Sequence, residues 1–181
     1  MLKYSKKSEG KIKMDNKIEI ERKYVIKKPS LKSLRVMEGY TESEITQIYL
    51  ESEKNVTHRV RSRVYPDRAV YTETKKIRVD EMSAYEDESE ICEADFKEKS
   101  KKTDKATRPI LKKRYTFTHN NHVFEIDVYP EWERCAIMET ELESREELVD
   151  FPSFIEIVRE VTGEREYSNA AMAHSFPKEP C

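Results

Sequence analysis

The sequence predicts an α+β fold: an eight-stranded antiparallel sheet curling into a β-barrel, or tunnel, with a charged interior and helices packed on its apolar outside. Three observations lead there. Apolar and charged residues alternate with a period of two through successive segments up to Glu143, the mark of strands with two unlike faces. Turn signals separate neighbouring segments closely enough for hairpins, and helical patterns follow the strands. Charge is also segregated by sign, arginines on one strand and glutamates on others. Periodicity alone leaves open which face is buried. Solvated faces usually intersperse signs, so the segregation favours a charged interior.

The first strand contains Glu19-Ile-Glu21-Arg-Lys23, which puts Glu19, Glu21 and Lys23 on one face and Ile18, Ile20, Tyr24 and Ile26 on the other. Pro29-Ser30 reads as a helix start with Ser30 as N-cap, and Gly39 as its stop. A strand is expected at Gln47 to Leu50. The next runs from Val56 to Val64, with Arg59, Arg61 and Arg63 opposite His58, Val60 and Ser62. Pro66-Asp67 makes a turn. The return strand, Ala69 to Ile77, is read with Tyr71, Glu73 and Lys75 sharing a face, and the one after it with Glu86, Glu88 and Glu90. Glu93 to Thr107 is dense in charge and reads as a solvated helix or loop. Leu111 to Thr118 carries Lys112 and Arg114. Asn120-Asn121 turns the chain into Val123 to Tyr129, where Glu125 and Asp127 share a face. Ala136 to Glu143 closes the set with Glu139, Glu141 and Glu143 on one side. Helical patterns are read at Ser144 to Phe151, Ser153 to Thr162 and Asn169 to His174.

With 181 residues the chain holds one domain. Charged residues are 39% of it but balance to −2, so no global basic field marks it as a nucleic-acid binder and any anion site is local. The expected organisation is an N-terminal extension over 1–14, a single domain over 15–176 and a C-terminal tail over 177–181. Cys92, Cys135 and Cys181 form an odd, scattered set that argues against a disulfide framework and fits a reducing, cytoplasmic compartment. No apolar run is long enough to span a membrane. With 3 Gly there is no glycine-rich phosphate loop, which excludes P-loop and Rossmann readings. His119 and His122 are read as turn histidines, Arg63 and Glu143 as rim charges, and Trp132 as a packing anchor.

The combination of motifs resembles the CYTH superfamily, the triphosphate tunnel metalloenzymes, and within it the short bacterial inorganic triphosphatases. The family signature Glu-x-Glu-x-Lys stands as Glu19-Ile-Glu21-Arg-Lys23. In family order follow Arg59 and Arg61, Lys75, Glu88 and Glu90, Lys112 and Arg114, Glu125 and Asp127, Glu139 and Glu141, and the terminal Tyr167-Ser-Asn169. The resemblance covers roughly residues 17 to 176. One departure is plain: Glu86 stands where the family usually has a basic residue.

The resemblance implies hydrolysis of a triphosphate phosphoanhydride inside the tunnel with Mg²⁺ or Mn²⁺. Lys23, Arg59, Arg61, Lys75, Lys112 and Arg114 would bind the triphosphate, guanidinium forks chelating its oxygens and ammonium groups acting as point charges. Carboxylates make sense beside phosphate only with a hard cation between them. By similarity Glu19, Glu21 and Glu141 would hold a catalytic metal, with Glu139 beside them and Glu88, Glu90 and Asp127 near a second. Lys23 and Tyr49 would map to a catalytic lysine and tyrosine pair, though Tyr49 equally suits packing. A CYTH-type adenylate cyclase, a thiamine triphosphatase and a non-catalytic polyphosphate or nucleotide-binding module are the alternatives. The partner expected is a small-molecule triphosphate, with no nucleic acid and no membrane; members of this size often form homodimers.

Overall fold

In a computed structural model, the structure describes residues 18–181. The expected extension over 1–14 lies outside the described residues. The strands are β1 (Ile18–Lys27), β2 (Glu38–Tyr49), β3 (Val56–Val64), β4 (Ala69–Arg78), β5 (Ser83–Ile91), β6 (Ile110–His119), β7 (His122–Val128), β8 (Cys135–Leu142) and β9 (Ile157–Glu160). The helices are α1 (Leu31–Leu34), α2 (Glu93–Lys99) and α3 (Asn169–His174). The sheet order is β5-β4-β3-β2-β6-β7-β8-β1-β9, and a further β5–β1 pairing joins the ends of the eight-strand run into a ring. All the pairings are antiparallel. The closed charged sheet is therefore as the sequence indicated, with β9 added outside it against β1.

The local chemistry is legible in the connections. Asn120 and Asn121 adopt φ of 46° and 65° in the two-residue loop between His119 and His122, the left-handed pair such a hairpin requires. The Ser30 side chain accepts a hydrogen bond from the Ser33 amide and starts α1. Gly39, at φ 64°, sits in the irregularity where β2 begins, so β2 extends far ahead of the expected Gln47.

Two segments depart from the helical reading. Ser144 to Phe151 forms no helix, and Ile157–Glu160 within the second pattern is strand β9. Pro152 interrupts the run, and the β-branched Ile155, Ile157, Val158 and Val161 favour extended backbone, so β1 captures them as an added edge.

Two apolar clusters hold the sheet. On the outside of β1, β6, β7 and β8, Tyr24, Ile26, Phe117, Phe124, Ile126 and Met138 are covered by Leu34 of α1 and by Phe151, Phe154 and Ile155. The second cluster continues the inward-facing rows. Val25 follows Lys23 by two residues, Ile137 precedes Glu139 by two, and both join Tyr49, Tyr129, Trp132 and Met172 of α3. The charged cavity thus ends on an apolar floor. Trp132, 2% exposed, is the anchor expected of it, with Nε1 donating to the Pro177 carbonyl.

The tail over 177–181 is tied down rather than loose. Glu179 accepts from the Cys135 amide at 2.9 Å, and Cys181 is paired with Cys135 as a disulfide across 46 positions with Cα atoms 6.0 Å apart. This one pairing was not read from the sequence: separation hid a contact that the tail's return to β8 creates. Cys92 remains free and exposed. No helix among the described residues is long and apolar enough to cross a membrane.

Candidate active site

The antiparallel registers decide which side chains meet inside the ring. On β3, Arg59 pairs with Thr74 of β4, which pairs with Glu88 of β5. Residues paired side by side point to the same face. The inward row of β4 is therefore Thr72, Thr74 and Lys76. The small threonines leave room for the β3 arginines to reach across β4 to β5. Arg61 Nη2 donates to Glu88 Oε1 at 2.8 Å, and Thr74 Oγ1 donates to Glu88 Oε2 at 2.7 Å.

A cavity of about 1340 Å³ follows, lined by Glu19, Glu21, Lys23, Tyr49, Arg59, Arg61, Glu88, Lys112, Arg114, Glu139 and Glu141 among the residues anticipated. Three anticipated residues are elsewhere. Lys75 is exposed and lines a separate groove with His58 and Asp87. Its neighbour Lys76 faces inward instead, 2.8 Å from Glu86 and 3.6 Å from Glu19. Glu90 is exposed and does not line the cavity. Asp127 is fully buried behind the wall and takes hydrogen bonds at 2.7 Å from both Nε and Nη2 of Arg114, and another from Lys112 Nζ. With both oxygens so occupied it is a counter-ion for the wall rather than a free ligand.

Arg63 and Lys76 were missed, and Glu125, part of the motif, was given no role. Arg63 is no rim charge: its Nε donates to Ser43 Oγ at 2.9 Å and it extends the Arg59 and Arg61 column along the cavity. Its parity with those two was the available signal. The histidines behave as turn and surface residues, His122 against Glu147 at 3.0 Å and His58 against Glu73 at 2.8 Å.

The base of the cavity is an ion network. Lys23 Nζ lies 2.7 Å from Glu139 Oε1, Arg114 Nη2 donates to Glu139 Oε2 at 3.3 Å, and Arg114 also binds Glu125. Burial alone would raise the Glu139 carboxyl, but Lys23 and Arg114 hold it well below the usual range. Burial would likewise raise Asp127, and Arg114 with Lys112 outweighs it and keeps it low. Burial and the adjacent Arg114 push Lys112 down to about 8, with Asp127 and Glu139 opposing. Tyr49, whose hydroxyl accepts from Gln47 at 2.5 Å, is pushed up to about 12 by burial, so it stays protonated at neutral pH and can donate but not act as a base.

The acids gather at β1, β5 and β8. Glu21 and Glu141 are opposite each other in register, and burial together with Glu86 pushes Glu19 up to about 7. Among the described residues no three His, Cys, Asp or Glu side chains converge tightly enough to hold a metal ion as they stand. The donor chemistry nevertheless fits a hard divalent cation, because opposed carboxylates are destabilising unless positive charge comes between them.

The fold has known counterparts. The inorganic triphosphatase NE1496 has 24% identity and a TM-score of 0.55, over 88% of this chain and 96% of that one. The PH1012 protein from Pyrococcus horikoshii OT3 has 19% identity and a TM-score of 0.53, over 71% and 81%. A cyclase-like protein from Hippeastrum, HpAC1, described as having a dominant triphosphatase activity, has 14% identity and a TM-score of 0.50, over 70% and 81%. No family model matches the chain, and no curated protein does. The chain thus shares the fold of these proteins, a closed antiparallel sheet of eight strands.

Proposed function

We propose that the chain hydrolyses a phosphoanhydride of a triphosphate, most readily inorganic triphosphate, inside this cavity with Mg²⁺ or Mn²⁺ as cofactor. One observation carries the reading. The Nε groups of Arg59 and Arg61 are buried in the cavity wall without any acceptor. An unsatisfied buried donor costs roughly 1–3 kcal/mol. Phosphate oxygens would satisfy both once the side chains turn them into the cavity, on a strand whose third arginine prolongs the same column.

The remaining wall follows from this assignment. Arg59, Arg61 and Arg63 bind and orient the phosphate chain, and Lys76 takes the part expected of Lys75. Lys23, fixed by Glu139 at 2.7 Å, places an ammonium at the base of the cavity, where Tyr49 can donate a hydrogen bond to a phosphoryl oxygen. Arg114 is committed to Asp127 and Glu125, so it shapes the wall and contributes charge more than direct contact. Glu19, Glu21 and Glu141 would hold the divalent cation, with Glu139 beside them and Glu88 on the arginine side of the cavity. Bound there, the cation would neutralise phosphoryl oxygens and favour attack by water. The carboxylate cluster around it would orient that water and take its proton.

The test is phosphate release from inorganic triphosphate. Arg61→Ala is expected to raise KM about tenfold or more, from loss of a charge-assisted contact. Glu21→Ala is expected to abolish turnover while triphosphate still binds. Full turnover in Glu21→Ala would remove the reading.

A further inference from the structure

One carboxylate of the cavity bridges two of the cations assigned to the substrate. Glu86 of β5 points inward with its side chain 11% exposed. Its Oε1 accepts from Arg59 Nη2 at 3.0 Å, and its Oε2 lies 2.8 Å from Lys76 Nζ. Lys76 is its direct cross-strand partner, so the backbone register fixes the bridge. Glu88 does not share this duty equally: it is held by Arg61 at 2.8 Å and by Thr74 at 2.7 Å, and stands 3.8 Å from Arg59. Glu86 is thus the principal acceptor for Arg59.

We infer that Glu86 is an internal competitor for the substrate anion, occupying Arg59 and Lys76 until a triphosphate displaces it. The inference rests on the triphosphate reading. Carboxylate and phosphate oxygens are the same kind of acceptor, and guanidinium and ammonium groups bind either. A ligand must therefore break two ion pairs to reach Arg59 and Lys76, and a third, between Arg61 and Glu88, to reach Arg61 as well. Only an anion that engages all three cations together recovers the loss. Shorter anions such as pyrophosphate and orthophosphate recover less. Glu86 is then a specificity residue that weakens anion binding and keeps the products from lingering.

Calorimetric titration with inorganic triphosphate and with pyrophosphate in EDTA, where no metal can bridge carboxylates to phosphate, tests this. Glu86→Gln keeps the side-chain volume and an acceptor oxygen but removes the charge. It is expected to bind triphosphate about tenfold more tightly than the wild type, and pyrophosphate by a larger factor, the scale of relieving like-charge competition at a close ion pair. In Glu86→Gln combined with Arg59→Met, the gain should shrink to about threefold or less. Glu86→Asp, one methylene shorter and unable to hold both cations, should tighten binding partway, and serves if the glutamine variant fails to fold. Equal or weaker binding by a variant that melts like the wild type overturns the inference. So does weakened binding confined to Mg²⁺, which would make Glu86 a metal ligand. No binding by the wild type or any variant, either in EDTA or with Mg²⁺, overturns the triphosphate reading, and the inference with it.

Discussion

Replacing Asp127 by Asn removes a charge at the most enclosed point of the wall with almost no change of shape. Asp127 has 0% exposure and bonds to Arg114 twice and to Lys112 once. Arg114 keeps Glu125 and Glu139 in the variant. Lys112, with its side chain 1% exposed, keeps no direct counter-ion. An uncompensated buried charge costs about 3–5 kcal/mol, and with Arg114 still paired the lower end, about 3 kcal/mol, is expected. For a domain of this size that is a fall in Tm of about 6–12 °C. The deficit should also narrow as pH rises toward 8. A lysine whose folded pKa lies below its unfolded value destabilises the fold while protonated, and stability returns as pH rises through the folded pKa. Loss of Asp127 lowers Lys112 further from about 8, so the variant recovers at lower pH than the wild type. Thermal melts by circular dichroism in EDTA at pH 7 and pH 8 read both effects. A variant that melts within about 2 °C of the wild type but has lost turnover would refute the reasoning, and would return Asp127 to the metal ligands.

Glu19, pushed up to about 7, gives a second handle on pH. An acid with a raised folded pKa stabilises the fold while protonated, so this contribution is present at pH 4.5 and lost by about pH 7. Allowing for its partial exposure, it amounts to about 1–2 kcal/mol. Melts in EDTA should show a loss on going from pH 5 to pH 8 that is smaller in Glu19→Gln, and an equal loss in the variant would contradict the assignment. The lysine exchange is sharper. Lys76→Ala should raise KM for triphosphate about tenfold, from loss of a cationic contact in the cavity, whereas Lys75→Ala on the outer face should leave KM within about twofold. The reverse ranking would mean that the β4 face is misassigned.

The signed faces of β1, β3 and β8 were readable because a two-residue period carries each side-chain row unambiguously once one member is placed. Lys75 went wrong for a reason the same sequence could have corrected. The loop at Pro66-Asp67 pairs Val64 with Ala69, and counting back along the hairpin puts Arg59 beside Thr74 and Thr57 beside Lys76. Single-strand alternation gives parity within a strand, whereas register gives it between strands. Asp127 has inward parity yet does not reach the cavity, because Lys112 and Arg114 close over it, which no pattern on one strand reveals. The segment Ser153 to Thr162 carried a helical spacing of apolar residues, but an open edge on β1 was available to capture its β-branched members. The link between Cys135 and Cys181 depended on the path of the tail over Trp132, a tertiary fact. Glu86 was visible in the sequence as a departure, and only its contacts with Arg59 and Lys76 give that departure a role.

The most direct measurement of the central claim is phosphate release by the wild type from inorganic triphosphate, ATP, thiamine triphosphate and pyrophosphate, each with Mg²⁺, Mn²⁺ or EDTA. Release that is fastest from inorganic triphosphate, requires the metal and disappears in Glu21→Ala is the result expected of a metal-dependent triphosphatase. No release from any of the four, with inorganic triphosphate still raising the Tm, would contradict it and leave the cavity as a binding site for polyphosphate anions.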